Sequence, residues 1–433
     1  MKTRCIARAA ASLAALFAAS AALAQTNSTV LGGGSSLVAP LINTEIADFG
    51  ADSLSLTYFS TSSGTGQTAL LTDNASFFNP TVTGAVDFAS SDAALSISYI
   101  TAYDTSTFAT TDKGGPLIQI PYIITPITIA YVNGPTSSTD TLMGPQTTPN
   151  QTHSLALNDS DLCGIFSGKL TNWHQVANPD TGSYFSIYAP ITVVYDSNSS
   201  GTTDLLTRHL AAVCPAYGIT NFSETQTFTA NFPSSFPAGA TFIGESGSGG
   251  IQNELTSLSA TNTAAVGYLG PDWANTFLAP DSTSAKANLA VASLVNSGLI
   301  NSPLGTADIA PTYKQADAAV ATAPVNVFLG TKAGTKVQSN WVPDSANPST
   351  GYPISGTSQI ILSECYASST VAASLVNFLT DHYTNASFLS VVNSNGFDVP
   401  TAYVQFIHAD FLSDASDFSL NINGSECTAG LGR

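Results

Sequence analysis

Short apolar, β-branched runs alternate along this chain with stretches whose apolar positions recur every three or four residues. Residues 54–59, 85–89, 191–195, 264–269 and 358–362 read as strands. Val38, Ile42, Ile46 and Phe49 recur at helical spacing around Pro40, and Leu206, Leu210 and Val213 share one helical face. Residues 251–258 and 371–379 also read as helices, and residues 162–173 as a short helix and turn. Residues 122–132 form a long β-branched run interrupted by Pro126, long enough to cross from one domain to another. Alternation of this kind predicts an α/β fold. Residues 133–160 are turn-rich, 228–250 are rich in Gly, Pro and Ser, and 270–350 carry no readable pattern. No repeat of solenoid length is present.

Three Ser/Thr/Gly turns punctuate the pattern: Gly32-Gly33-Gly34-Ser35-Ser36, residues 60–66, and Ser199-Ser200-Gly201-Thr202-Thr203. The second and third follow strands, the first only the short run 28–31. Each leads into a stretch that can be helical. Backbone N–H groups at a helix N-terminus, joined by small hydroxyls, suit an anion. A single such turn is equally well a capped helix start. Three together point to a ligand held by backbone and hydroxyl groups.

Composition narrows the setting. Lys2, Arg4 and Arg8 precede an Ala/Leu-rich run, and Ala22-Leu23-Ala24 is a small-residue cleavage site. Residues 1–24 are therefore expected to be a secretory signal peptide, and the mature protein periplasmic or secreted. No later apolar run is long enough for a membrane span. The signal takes three of 11 basic residues, leaving eight against 29 acids. So acidic a chain argues against nucleic acid and anionic membranes as partners. Four cysteines remain: Cys163, Cys214, Cys365 and Cys427. An even count in an exported chain favours disulfides, with three connectivities open. There is no CxxC pair, and the five histidines show no metal spacing, so neither metal nor cofactor is expected.

The order of the motifs is similar to that of the periplasmic phosphate-binding proteins that serve bacterial phosphate ABC importers, the PstS family. Residues 34–40 resemble the family's first ligand turn, and 58–66 its second. Val86-Asp87-Phe88-Ala89-Ser90-Ser91-Asp92-Ala93-Ala94-Leu95 is the nearest match, reading like its aspartate segment. Leu162, Ile165, Phe166, Gly168, Lys169 and Trp173 match an internal pattern, and 193–203 resemble its Ser-Gly-Thr turn. Residues 247–270 and 352–379 match more loosely, and 133–155 and 270–350 are unlike the family. The resemblance extends to DING-type extracellular phosphate-binding proteins.

It implies a two-lobed α/β periplasmic-binding-protein fold with a hinge and a ligand cleft between lobes. Chain order assigns residues 26–125 with 355–433 to lobe 1 and 126–354 to lobe 2. Cys163 and Cys214 would then share one lobe, and Cys365 and Cys427 the other. Because the hinge must move, bridges within lobes are expected. The family's ligand contacts fall on Ser36, the backbone of Leu37, Ser63, Asp92, Ser200, Gly201 and Thr202. An ionised Asp92 can only accept hydrogen bonds, so it favours an anion that carries a proton, as hydrogenphosphate does and sulfate does not. A monomer with a small anionic ligand, phosphate first, is implied. An importer complex is the candidate membrane partner, although no sequence mark shows a docking surface.

One departure stands out. The family has an arginine four residues before the serine of its Ser-Gly-Thr turn, and here that position is Asp196. The nearest bases in sequence are Lys169 and Arg208, and Arg208 is expected to point elsewhere. Asp196 is expected to be solvated, with attenuated phosphate binding through dipoles; turned inward, it would imply a changed ligand. Trp173 is expected in the core. Ser246 in Gly244-Glu245-Ser246-Gly247 lacks the second glycine of a G-x-S-x-G turn and is expected to precede a helix without catalytic function. The alternative function is that of an extracellular relative with weak alkaline-phosphatase activity or a surface role.

Overall fold

The computed structural model describes residues 29–49, 54–111, 113–135, 145–151, 153–179, 181–296, 308–428 and 430–433. The expected signal peptide, residues 1–24, lies outside them. Twelve strands are present among the described residues: β1 (Val30–Gly34), β2 (Leu56–Ser60), β3 (Phe88–Ser91), β4 (Leu117–Pro126), β5 (Thr128–Val132), β6 (Ala156–Leu157), β7 (Thr192–Asp196), β8 (Thr241–Glu245), β9 (Ala265–Leu269), β10 (Ala290–Val295), β11 (Asp308–Ile309) and β12 (Ser355–Ser363). They form two sheets with helices packed about them. One has the order β2-β1-β3-β12-β4; the other runs β11-β10-β5-β9-β7-β8, with β6 beside β10. The molecule is a two-lobed α/β protein.

In the first sheet β1 pairs parallel with β2 and β3, and β12 runs antiparallel to β3 and β4. In the second, β7 pairs parallel with β8 and β9, while β5 is antiparallel to β9 and β10. Parallel neighbours gather the C-terminal ends of β1, β2 and β3 at one edge and those of β7 and β8 at another. In open α/β sheets ligands bind outside such ends. The apolar run 122–132 supplies strands to both sheets, and the break at Pro126 separates β4 from β5. The chain passes back between Ile309 and Tyr313.

The N-terminal glycines belong to β1 rather than to a turn. The Phe88 ring fills the space a side chain on Gly32 would need. Gly34 has φ of +143°, and a Cβ there would lie 2.1 Å from the Ser90 carbonyl oxygen, so only glycine fits. The turn starts at Ser35. β3 likewise lies further along than residues 85–89, and it includes Ser90 and Ser91. β8 escaped the sequence pattern because it is a half-exposed edge strand within a Gly/Pro-rich stretch.

Chain order carried the second lobe to residue 354, but residues 313–341 pack on the first sheet. The helix Tyr313–Val320 buries Ala316 and Val320 against Ile124 of β4. Gln338 Nε2 donates to the Leu117 carbonyl at 2.9 Å, and Trp341 stacks obliquely on Phe411 with ring centroids 5.3 Å apart. The disulfides are Cys163–Cys214, on the second-sheet side, and Cys365–Cys427, on the first. Trp173 is fully buried, packed edge-on against Tyr131 and Phe185.

Candidate functional site

The three Ser/Thr/Gly turns meet where the two sheets face each other. Each feeds a helix or the end of a strand. The helix Ser63–Thr72 is capped by Ser62, whose side chain accepts from Thr65 N–H. The helix Gly201–Val213 is capped by Ser200, which accepts from Thr203 N–H at 3.3 Å. A third helix, Gly247–Ala260, starts after Ser246. First-turn N–H groups have no intrahelical carbonyl to bond, and they carry the positive end of the helix dipole. Ser63, Gly201 and Thr202 place such groups at the junction.

Asp92 sits at its centre, 3% exposed. Its Oδ2 accepts from the hydroxyls of Ser35 at 2.8 Å and Thr202 at 3.2 Å, and its Oδ1 accepts from Ser358 at 2.8 Å. Its N–H donates to Ser63 Oγ at 3.2 Å. Burial pushes the carboxyl up to about 6; the three hydroxyls pull it down, and Asp196 raises it further. No lysine or arginine is among these influences.

The lobes touch here. Thr202 crosses to Asp92. Gly64 N–H donates to the Ser199 carbonyl at 2.9 Å. Ser248 N–H donates to Ser36 Oγ at 3.0 Å, and the Trp273 indole N–H to the Ser36 carbonyl at 2.9 Å. A Cβ on Gly201 would lie 2.5 Å from Ala93 N and 2.7 Å from Asp92 Cβ, so the approach needs glycine. Leu37 is buried, and its N–H faces Ser35 Oγ at 3.1 Å. The structure thus brings Ser36, Leu37, Ser63, Asp92, Ser200, Gly201 and Thr202 into one region.

Asp196 corrects an expectation. It is not solvated but 3% exposed, at the inward end of β7. Its Oδ1 accepts from Asn198 N–H at 3.0 Å and from Gly247 N–H at 3.1 Å. The start of the third helix therefore holds the carboxylate inward as it would hold a free anion. Burial raises its carboxyl against the pull of these amides. Arg208 supplies no compensating charge: it lies near Gly356 and acts on Asp204. Asp272, in the first turn of Pro271–Ala274, is a third buried acid, held well above the ordinary range by burial and next by Asp92, against the backbone N–H of its own residue.

Residues 19–381 match the family model of a PBP superfamily domain. The chain belongs to the PBP superfamily. Over 389 residues it is 32% identical to a Pseudomonas aeruginosa protein named Alkaline phosphatase L, covering 89% of this chain and 88% of that one. Over 393 residues it is 28% identical to a protein named Phosphate-binding protein from an unknown prokaryotic organism, covering 87% and 93%. Among solved structures it resembles a high affinity periplasmic phosphate-binding protein (PfluDING) bound with phosphate, with a TM-score of 0.73, 28% identity, and coverage of 94% and 99%. It also resembles a phosphate-binding protein from Stenotrophomonas maltophilia, with a TM-score of 0.70, 29% identity and the same coverage. Within the PBP superfamily it stands with the PstS-type and DING phosphate-binding proteins.

Sequence reasoning missed several residues of this candidate site. Ser358 reaches Asp92 from 266 positions away, on β12. The β12–β4 register shifts beside it, where Tyr122 is the extra residue, and such bulges re-aim side chains. Tyr58 donates its hydroxyl to the Ser35 carbonyl at 2.6 Å and also meets Ser90 Oγ. Ser248 and Trp273 close the site from the second lobe. Nothing local marks Ser358, Ser248 or Trp273. Ser35 was visible as a hydroxyl next to Ser36. Ser246 precedes the third helix and accepts from Asn198 Nδ2 at 3.0 Å.

Proposed function

We propose that this PBP-superfamily chain is an extracytoplasmic solute-binding protein for phosphate, held between the lobes by Ser36, the Leu37 backbone, Ser63, Asp92, Ser200, Gly201 and Thr202. The observation that carries this reading is the convergence of hydroxyls and helix N-termini from both sheets on the buried Asp92. The similarity to phosphate-binding proteins supports it. No described helix is long and apolar enough to cross a membrane. Residues 30–126 with about 313–433 would form one lobe and 128–309 the other, opening about the two crossings. Each disulfide would stay within a lobe. Calorimetry with phosphate, on protein unfolded and refolded to strip ligand, is the test. Heat of binding at one site per chain is expected; none at any pH removes the reading.

A second reading, phosphomonoester hydrolysis, draws on the relatives named Alkaline phosphatase L. The site offers it little. The hydroxyls around Asp92 are engaged by it, and the rings of His174, His209, His382 and His408 meet Asn172, Asp159, Glu45 and Ser413 respectively. Phosphate release from p-nitrophenyl phosphate that disappears in Asp92→Ala would favour it.

A further inference from the structure

Asp196 gives the cleft two fixed acids where a base would balance one of them. Both carboxylates are buried, and both are served by neutral donors: hydroxyls for Asp92, amides for Asp196. The other ionisable groups bearing on them bring no relief. Tyr58 on β2, Asp204 on the helix Gly201–Val213 and Asp272 on Pro271–Ala274 act on or with Asp92, Tyr268 on β9 faces Asp196, and Glu245 on β8 pairs in register with Asp196. Arg208 is drawn to Asp204, which also faces Glu224.

A ligand here meets a demand set by charge and by hydrogen count. Each acid repels negative charge, and with no base the repulsion grows with every charge the ligand carries. Each carboxylate can only accept, so each gains from a ligand hydroxyl. The dianion of phosphate has one such hydroxyl, the monoanion two, and sulfate none.

Resting on the phosphate reading above, we infer that Asp196 makes this site select the singly charged, twice-protonated phosphate ion over the dianion. The ligand's two hydroxyls face the two acids, and its remaining oxygens face the helix N-termini and hydroxyls. No bond is made or broken. A protein so built captures phosphate best in acidic surroundings and releases it as pH rises. Asp196 is then a specificity-determining residue, the reverse in sign of the arginine it replaces.

The test is phosphate titration of refolded full-length protein across pH. Phosphate sheds its second proton near neutrality. Burial raises Asp92 only to about 6, below the mildly alkaline range, and raises Asp196 against the pull of its amides. Between about pH 7.5 and 8.5 the Kd should therefore rise close to tenfold per pH unit, following the monoanion. Asp196→Asn keeps the shape and an acceptor for Gly247 N–H. It should flatten that slope and tighten binding at pH 8.5 by about tenfold or more, and Asp196→Arg should do so further. A wild-type Kd that is flat or falling over this range overturns the selection while leaving phosphate binding in place. An unchanged slope in Asp196→Asn overturns the assignment to Asp196. Failure of phosphate to bind even at pH 5.5 overturns both this inference and the phosphate reading.

Discussion

Glu45 and Asp92 are both buried on the five-stranded side, and the fold treats them in opposite ways. Glu45 is fully buried and receives His382 Nδ1 at 2.8 Å and the Tyr122 hydroxyl. His382 Nε2 must donate to the Tyr122 carbonyl, 2.8 Å away, because a carbonyl only accepts. Its ring also stacks on Tyr122 with centroids 3.8 Å apart. That acid has an ionisable base as its partner and a closed hydrogen-bond network. Asp92, equally enclosed, has only hydroxyls and a neighbouring acid. Elsewhere Asp161 is also held by backbone N–H groups alone, within a capping box. Neutral donors are thus not unique to the cleft, but the combination with a second inward acid sets Asp92 apart. Glu45 is offset by a base inside the fold. Asp92 has its oxygens filled by hydroxyls, but no cation offsets its charge.

Removing the base should have the largest effect. His382→Ala leaves Glu45 buried without its partner and should cost about 3–5 kcal/mol of stability. Urea unfolding should show a lower midpoint at unchanged m-value. A loss below about 1 kcal/mol would remove the contrast with Asp92.

Neutralising the cleft acid should act in the other direction. Asp92 has a raised carboxyl, so between about pH 4 and 6 the folded protein keeps a proton that the unfolded chain has lost. Stability contributed by this group therefore falls as pH rises through that window, and the full penalty is present above about 6. Ligand-free Asp92→Asn should be more stable than wild type by about 2–3 kcal/mol at pH 8 and no different at pH 4. Selectivity for phosphate over sulfate should weaken more than total anion binding does. Equal discrimination by mutant and wild type would clear Asp92 of that role.

The smallest effect belongs to Ser358→Ala. It removes one of three hydroxyls on Asp92 and should change phosphate affinity by about 1 kcal/mol, about fivefold. Because the hydroxyl lowers the Asp92 carboxyl, its loss should move that titration upward. A pH titration of Asp92 by NMR reads the shift directly.

What the sequence revealed was what is local along the chain. The turn at Ser62-Ser63-Gly64, the Ser90-Ser91-Asp92 segment and Ser200-Gly201-Thr202 each hold a strand end, a cap and a helix start within ten residues. Their joint use follows from chain order. Ser358, Ser248 and Trp273 gain their roles only through strand register or the meeting of lobes, which no local window contains. Asp196 was conspicuous as a residue but not as a geometry. Its direction depends on the end of β7 lying beside the start of the helix Gly247–Ala260, whose N–H holds the carboxylate in place. The glycines of β1 misled because a run of three reads as a turn unless the Phe88 ring above them is known.

The Trp273 hydrogen bond to Ser36 gives the molecule an optical signal of its own state. The chain has three tryptophans. Trp173 and Trp341 are sealed in the core, whereas Trp273 is only half-buried and reaches across the cleft. Parting the lobes would expose this indole to water and leave the other two as they were. Intrinsic emission should then move to the red on opening and return on closure, so that the occupancy of the site can be followed without a label.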